Sequence, residues 1–472
     1  MPSIKRFTNI KNNKIEKDIK KFLDILNKKS KVILLPDLHY KRGEMSPTGS
    51  VLLTENEVVP CFTHLNVGSG ISSWIIKTND LKENHIEKLF KKLSKTIPDR
   101  AKKRLKYLPK TFNSKFFEEC IFKGVRALVK RGMLDKSDLE KIEDNGNFYN
   151  FKKINLEKLF PEDLLQKCKN EFGSLGSGNT FIELNRIKKI FDKDVLKKWN
   201  ISKEDYLLTI HSGCTAGYIN LYFTPRWGIR GKNFLRFEKN KLKYHLTNMF
   251  DKETILNKFR FFPGSSKYFK LNYPSYDADL YLSAVNGITN IAVANRIWLA
   301  KYFEFNLKRI IKSNFQFNLL WDSCHDTIKK LSTKNKKNFF IHRHGANFVK
   351  NSNKLSSKHR YKSTGTPIIL PSYPGGDTML LKPLRNIHNS MDSVCHGTGR
   401  KIDRPIARKK FNSKNSLKKI KKSGVKIFYH KTDFSGEDPR AFRGISEILK
   451  PLVSKKLIKK VLLLKPIAIL KG

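Results

Sequence analysis

A histidine inside a glycine turn, with arginines just downstream, is the feature of this chain best suited to chemistry on a phosphate. His396 lies in the segment CHGTGR at 395–400, and Arg404 follows it. Glycines let a backbone approach a phosphate closely, and arginines bind phosphate oxygens through paired N–H groups. The segment therefore predicts a nucleophile or a ligand set. A glycine turn with a buried, hydrogen-bonded histidine is the alternative interpretation.

Two other histidines stand at the ends of predicted strands. His211 follows an apolar run and precedes Ser-Gly, and His325 follows another apolar run. Imidazoles so far apart in the chain can converge only if their strands share a sheet. Convergent imidazoles suit manganese, iron or zinc. For each histidine taken alone, a satisfied core histidine is the alternative.

The elements that must position these side chains alternate between strand and helix. A short β-rich run at 31–35 ends at Pro36, which predicts Asp37 and His39 at or just past the C-terminal end of a strand. Polar and apolar residues at 80–170 alternate with a helical period, which predicts a helical insertion or flank.

The composition is that of a folded and strongly basic protein. A hydrophobic fraction of 39% with 33 Phe argues against a disordered chain, and no repeat or long linker divides residues 1–472, so a single domain is expected. The 95 Lys and Arg against 42 Asp and Glu give a formal charge of +53, which favours polyanions and above all nucleic acid. Part of the excess is also consistent with a compositional bias, because Lys, Asn, Ile and Phe are abundant together.

Cysteine usage and hydropathy argue against a secreted or membrane protein. The six cysteines form no C-x-x-C pair, so neither a zinc ribbon nor a disulfide framework is indicated and a reducing compartment is expected. Residues 1–20 are polar, and no run of 18 apolar residues occurs. We expect an intracellular protein, cytoplasmic or nuclear, with no membrane contact. The basic run at 418–422 is either a nuclear signal or a solvated face.

Aromatic and basic residues are interleaved at 225–275. This composition suits bases stacked over a basic groove, while packing in the core is the alternative.

Several motifs, in order along the chain, resemble those of the RtcB family of RNA ligases. The segment at 395–400 is close to that family's Cys-His-Gly-Ala-Gly-Arg, and the Lys471-Gly472 ending is similar to its own. The other motifs that match in order are PDLH at 36–39, PTG at 47–49, GSGNTFIE at 176–183, HSG at 211–213, AVANR at 292–296, DSCH at 322–325 and HRHGA at 342–346. Each match is weak alone, but the collinear set is specific.

The resemblance implies a single α+β RtcB-like domain with central β-sheets flanked by helices. It also implies GTP-dependent joining of an RNA 3′-phosphate, or 2′,3′-cyclic phosphate, to a 5′-hydroxyl end. His396 would attack GTP and carry GMP, Arg400 would stabilise phosphoryl oxygens, and we assign Asp37 to the same catalytic set. The nucleotide-binding residues so implied are Asn179, Thr180, Phe181, Ile182, Glu183, His325, Asp326, Pro371, Thr378, His396, Gly397, Thr398, Gly399 and Lys471, with Glu183 and Lys471 near the base.

The metal ligands depart from the family pattern. The family binds two manganese ions through five ligands, of which this chain keeps His211 and His325. Asn66, Ser69 and Thr180 occupy the positions of the lost ligands, and a neutral side chain there lowers metal affinity. One or two manganese ions are expected, with the second site in question. Thr215, Asp326 and Phe442 are further departures from the family pattern. Asp37, His39 and His64 are candidate substitute metal ligands.

Three functions are therefore considered. The first is a GTP-dependent RNA ligase acting on transfer RNA halves or another cleaved RNA. The second is an RNA-binding homologue without catalysis, and the third is a mononuclear metallo-phosphoesterase using His211 and His325. RNA is the expected partner, an activator protein is a further candidate partner, and a monomer is expected.

Overall fold

The computed structural model describes residues 2–40, 46–62, 67–148, 156–159, 162–176, 178–213, 270–331, 337–430 and 433–472. Asn66, His64 and Thr215 lie outside these residues, as does the basic aromatic stretch from 225 up to residue 269.

Helices of very different lengths occur in the described ranges. The α-helices are α1 (Asn13–Ile25), α2 (Glu83–Thr96), α3 (Ser114–Lys123), α4 (Arg126–Val129), α5 (Leu156–Leu159), α6 (Glu162–Glu171), α7 (Lys193–Lys198), α8 (Tyr276–Lys308), α9 (Arg404–Lys410), α10 (Ser413–Lys421) and α11 (Ile445–Ser454). Short 3-10 helices are found at Pro60–Phe62, Lys136–Lys141, Glu143–Gly146, Ser352–Lys354, Arg385–Ser390, Ser435–Glu437 and Pro439–Ala441.

The strands form two main sheets and two small ones. The strands are β1 (Ser3–Arg6), β2 (Lys31–His39), β3 (Thr48–Glu55), β4 (Glu57–Val58), β5 (Gly70–Lys77), β6 (Phe181–Ile190), β7 (Tyr206–Ser212), β8 (Leu271–Asn272), β9 (Gln316–Cys324), β10 (Asp326–Leu331), β11 (Phe339–His344), β12 (Ala346–Phe348), β13 (Ile368–Leu370), β14 (Thr378–Pro383), β15 (Ser393–Cys395), β16 (Lys426–Tyr429) and β17 (Ile458–Lys471). The larger sheet has the order β13-β14-β17-β6-β7-β5-β9 with β16 paired to β17, and the smaller has the order β1-β2-β3-β11-β10. Strands β12 and β15 pair with each other, as do β4 and β8.

The register of the larger sheet brings distant residues into one row at its end. Lys471 pairs with Phe181, Phe181 with His211, His211 with Ile71, and Ile71 with Ser323. Residues directly opposite in a sheet lie about 4.5–5.5 Å apart, so five segments of the chain meet in one place. The strand-end histidine predicted at 211 therefore lies beside the chain's C-terminal residues.

The two main sheets are joined next to this row. His325 is the residue between β9 of the larger sheet and β10 of the smaller one. Strand β2 extends to His39 and passes through Pro36, which corrects the expectation that the strand ends at residue 35. Its pairing with β3 is interrupted between Leu34 and His39, so the N–H that proline lacks is not needed for a ladder bond there.

Helix α8 is the central support of the larger sheet. Ser275 caps its N-terminus by accepting a hydrogen bond from the Ala278 N–H, as favoured for this residue type. The region between residues 83 and 171 packs against α8 through aromatic contacts: Phe90 of α2 contacts Phe303, with ring centroids 6.0 Å apart, and Phe112, just before α3, contacts Trp298 at 5.1 Å. That this helical region is an insertion stays a prediction.

The α+β class predicted from the sequence is confirmed, with central sheets flanked by helices. Among the described residues, the helices are all too short or too polar to cross a membrane.

Candidate active site

A cleft of about 580 Å³ opens at the end of the larger sheet, against the smaller sheet. It is lined by His39, Asn179, Phe181, Glu183, His211, Pro371, Ser372, Tyr373, Pro374, His396, Gly397, Thr398, Gly399, Arg400, Glu437, Phe442, Ile469 and Lys471.

His396 is held in one orientation by two acceptors. Its Nδ1 lies 2.8 Å from Asp37 Oδ2 and 3.0 Å from the Gly345 carbonyl oxygen. Both partners accept hydrogen bonds, so Nδ1 carries a proton, and in the neutral ring Nε2 is the nitrogen with the lone pair. Asp37 is fully buried, while His396 is slightly exposed in the cleft. The arrangement is that of an imidazole oriented by a carboxylate for nucleophilic attack.

The glycine of the turn is required by this contact. Gly399 has a φ of +66°, and a Cβ there would lie 2.5 Å from the Asp37 carbonyl oxygen. Any side chain at 399 would push the turn away from Asp37, so the glycine allows His396 and Asp37 to meet.

His211 and His325 converge on one point. Their Nε2 atoms lie 3.4 Å apart, and His211 Nδ1 donates to the Asn179 carbonyl oxygen at 3.0 Å. Burial lowers the pKa of His211 to about 3 and holds the pKa of His325 well below its usual range. Both rings are therefore neutral at physiological pH, and the His325 ring centroid also lies 4.8 Å from that of His396.

The described residues predicted to replace metal ligands have neutral side chains. Ser69 Oγ lies 3.4 Å from His211 Nε2, and the Thr180 hydroxyl donates to the Gly176 carbonyl oxygen at 2.6 Å. Asn66 lies outside the described residues. Within the described part of the chain, no group of three or more His, Cys, Asp or Glu side chains is arranged to hold a metal ion.

Arg400 lines the cleft, and Arg404 pairs with Glu437 of its lining. Arg400 donates to the carbonyl oxygens of Ile402 and Gly436 and stacks on Phe442, 4.3 Å from the ring centroid. Its Nη1 is buried without a partner, and so is the Nε of Arg404. Burial lowers the pKa of Arg400 to about 10, so it stays protonated at neutral pH.

The far end of the cleft is formed by Glu183 and Lys471. Glu183 accepts a hydrogen bond from the Thr378 hydroxyl at 3.1 Å, and burial raises the pKa of its carboxyl to about 7. Lys471 Nζ donates to the Thr180 carbonyl oxygen at 3.2 Å and to that of Gly178. These two ionisable groups, of opposite sign, lie on adjacent strands.

The structure brings most of the predicted site residues together, and a few lie behind the cleft wall. Asp326, behind the wall, accepts a hydrogen bond from the Gly345 N–H at 2.8 Å. Pro371 lines the cleft, and its carbonyl oxygen accepts a hydrogen bond from the Thr398 N–H at 3.2 Å. The Ile182 side chain is fully buried in the main hydrophobic core, so only its backbone is near the site. The individual roles assigned to these residues stay predictions.

Sequence reasoning missed several lining residues, of which Glu437 is the most informative. Glu437 is buried and forms an ion pair with Arg404 at 2.8 Å. Ser372, Tyr373, Pro374 and Ile469 were also missed. No local pattern marks these residues, because they come from loops and a strand that meet only in the folded chain.

Two adjacent residues of α8 anchor the strand ends that carry the histidines. Arg296 forms a fully buried ion pair with Asp322 at 2.7 Å and donates to the carbonyl oxygens of Gly68 and Ser212. Asn295 donates to the Ser174 carbonyl oxygen at 3.1 Å. The helix thus fixes the segments just before and after the row of site residues.

Comparison with known proteins agrees with the motifs. A family model described as tRNA-splicing ligase RtcB matches residues 20–472. RNA-splicing ligase RtcB homolog 1 of Entamoeba histolytica is 25% identical over 456 residues, which span 94% of this chain and 80% of that protein. The tRNA-splicing ligase RtcB of Nanoarchaeum equitans is 24% identical over 458 residues, 93% of this chain and 88% of that protein.

A third relative, the tRNA-splicing ligase RtcB of Methanocaldococcus jannaschii, is 25% identical over 411 residues, 84% of this chain and 39% of that protein. Since the family model covers nearly the whole chain, the resemblance predicted from the motifs is confirmed, and this protein belongs to the RtcB family.

Proposed function

We propose that this protein is an RNA ligase that joins a 3′-phosphate end to a 5′-hydroxyl end, with GTP as co-substrate and His396 as nucleophile. The observation that carries the proposal is the Asp37–His396 contact at 2.8 Å, which places the lone pair of the neutral imidazole on Nε2, in a cleft. The names of the relatives, which are RNA- or tRNA-splicing ligases, support the same function.

The proposed reaction has three displacements. The lone pair of His396 Nε2 attacks the α-phosphorus of GTP, a P–N bond forms, and pyrophosphate leaves. An oxygen of the RNA 3′-phosphate then attacks that phosphorus, the P–N bond breaks, and the RNA carries GMP on its 3′-phosphate. The RNA 5′-hydroxyl finally attacks the 3′-phosphate, and GMP leaves as the new phosphodiester forms.

Arg400 and Arg404 are the residues that would stabilise negative charge during these displacements. Each has a buried N–H without a partner, and a buried unpaired donor costs free energy until a ligand accepts from it. Donors held in place beside a site stabilise developing phosphoryl charge with little reorganisation. Arg400 lines the cleft, and Arg404 contacts Asn179 and Glu437, which also line it.

Glu183 and Lys471 would bind the guanine end of the nucleotide. The raised pKa of Glu183 follows from burial, so a ligand that donates N–H groups to its carboxylate would favour the ionised form. The guanine edge offers such donors next to a carbonyl oxygen that Lys471 suits.

The two retained imidazoles fit a single divalent transition metal. Both are neutral, and two nitrogens bound to one ion at about 2.0–2.1 Å lie roughly 3–3.5 Å apart, which agrees with the 3.4 Å between the Nε2 atoms of His211 and His325. Such an ion, manganese in this proposal, would polarise phosphate oxygens. Among the described residues, Ser69 and Thr180 do not fit a second ion, because both are neutral and the Thr180 hydroxyl is engaged with a backbone carbonyl.

The test is covalent labelling with GTP. Protein incubated with α-labelled GTP and manganese is expected to form an acid-labile GMP adduct that is absent in His396→Ala. The matched control is His388→Ala, because the His388 side chain is exposed and its ring forms a hydrogen bond with the carbonyl oxygen of neighbouring Arg385. No adduct with any divalent metal would refute the proposal.

Binding of RNA without catalysis is the second candidate, because Ser69 and Thr180 stand where the family has metal ligands. It predicts salt-sensitive RNA binding in both wild-type protein and His396→Ala, with no adduct in either. The need for an activator protein, the monomeric state and the cytoplasmic or nuclear compartment stay predictions.

A further inference from the structure

Helices α9 and α10 form a surface whose charged side chains are nearly all positive. The sequence from 404 to 432 contains no aspartate or glutamate. The exposed basic residues on the two helices and the turn that ends them are Arg408, Lys409, Lys410, Lys414, Lys418, Lys419, Lys421 and Lys422. We call these eight residues the α9–α10 basic surface.

Nothing in the described part of the chain neutralises most of this surface. Arg408 lies 3.6 Å from Asp433, whereas the lysines of α10 form no ion pair with any described carboxylate. Elsewhere exposed lysines do pair, as Lys188 does with Asp377 at 2.7 Å. Like charges four residues apart, such as Lys414 and Lys418, destabilise an isolated helix. An unbalanced surface of this kind is a binding site for a polyanion.

The surface is continuous with the His396 cleft. Arg404 and Arg408 of α9 line a second cleft of about 390 Å³, which shares Glu437 and Lys471 with the His396 cleft. A ligand too long for the first cleft can therefore continue over α9.

Helix α10 is fixed against the same wall. The Ser416 hydroxyl donates to Asp438 Oδ2 at 2.8 Å, and Ile420 packs in a cluster with Phe181, which lines the His396 cleft. Because Ser416 and Ile420 face inward, the lysines at 418, 419, 421 and 422 point to solvent.

We propose that the α9–α10 basic surface binds the sugar-phosphate backbone of the RNA strand whose end is being joined. This rests on the proposed function, and it names where the substrate is held outside the cleft. The chemistry points to phosphates rather than bases, because ammonium groups on flexible chains neutralise phosphates without reading sequence. The contact is therefore independent of RNA sequence and strongly dependent on salt.

The experiment neutralises four lysines of α10 and, separately, four lysines far from the cleft. The test variant is Lys418→Gln, Lys419→Gln, Lys421→Gln and Lys422→Gln in the full chain. The control variant is Lys193→Gln, Lys197→Gln, Lys198→Gln and Lys203→Gln. These exposed residues follow Ile190, at the opposite end of β6 from Phe181, and the change in net charge is the same.

Binding of a short fluorescein-labelled single-stranded RNA with a 3′-phosphate is measured by anisotropy over a salt series. The test variant is expected to bind about 10- to 100-fold more weakly near 0.1 M salt, and the slope of log K against log salt to lose about 2–3 units of steepness. The control variant is expected to bind within about 2-fold of wild type. Thermal unfolding of both variants checks that the fold is kept.

Equal RNA binding by the test and control variants would overturn the proposal. Binding of labelled polyglutamate as tight as that of RNA would also overturn it, because the surface would then suit an acidic protein. The GMP adduct, which needs no RNA, is measured on the same wild-type preparation. Absence of the adduct would refute the proposed function, while the RNA affinities of the test and control variants could still be compared.

Discussion

Replacing Asp37 by Asn tests whether the carboxylate controls the reactivity of His396. The substitution keeps the size of the side chain but gives it an N–H donor beside His396 Nδ1. A donor there favours the tautomer that carries its proton on Nε2, which removes the lone pair proposed to attack GTP. Asp37 is fully buried and its second oxygen, Oδ1, has no partner, so loss of the charge is not expected to unfold the protein.

The magnitude follows from the two acceptors of Nδ1. A hydrogen bond to a charged group contributes about 1.5–3 kcal/mol, and its loss alone would slow adduct formation roughly 10- to 150-fold. A carboxylate-to-amide change that reverses the tautomer of a catalytic imidazole costs about 10⁴-fold. The Gly345 carbonyl, 3.0 Å from Nδ1, still favours the reactive tautomer, so we expect a decrease of about 10²–10³-fold, between those limits.

The assay is the single-turnover rate of GMP-adduct formation at saturating GTP and manganese. Asp194→Asn is the matched control, because Asp194 is exposed on α7 and forms no ion pair with the described residues. A rate for Asp37→Asn within about 3-fold of the control would refute the reasoning, since a loss of even 1.4 kcal/mol gives a tenfold change.

Three other changes test the rest of the site. Burial raises the pKa of Glu183 to about 7 from 4.5, so the folded state holds this proton more tightly and its stability falls as pH rises from about 4.5 through about 7. Glu183→Gln is therefore expected to raise the melting temperature relative to wild type more at pH 8 than at pH 5, and to lose the GMP adduct. A difference in melting temperature that does not depend on pH would contradict the raised pKa. Arg296→Ala leaves Asp322 buried without its arginine partner, which should lower the free energy of unfolding by about 3–5 kcal/mol, as measured by denaturant titration. A decrease of less than about 1 kcal/mol would show that Asp322 gains another partner or becomes protonated. His211→Ala should weaken manganese binding at least about tenfold, because it removes one of the two proposed imidazole ligands. Electron paramagnetic resonance of added Mn²⁺ measures this binding without any reaction. Manganese binding equal to that of His388→Ala would exclude His211 as a ligand.

Much of the site was open to prediction from sequence because its residues lie in short motifs at strand ends. The turn at 395–400 combines a nucleophile, glycines and an arginine within six positions, and His211 follows a clear apolar strand. Because these motifs occur in the same order as in the RtcB family, they identify the fold even though the sequence identity to relatives is near 25%. Glu437 and Tyr373 carried no such signal, because each comes from a loop whose neighbours are set only by packing.

The activation of His396 is the part that local patterns could not give. Asp37 and His396 are 359 positions apart, and nothing in either segment states that they touch. Their contact depends on Gly399 leaving room for the Asp37 backbone, and on Gly345, between β11 and β12, placing its carbonyl beside Nδ1. These requirements are met by glycines and backbone atoms, and neither Ser69 nor Thr180 takes part in them. If those two residues replace metal ligands, as the motifs predict, the replacement bears on what the two imidazoles can bind and not on the contact that orients His396 for its proposed role.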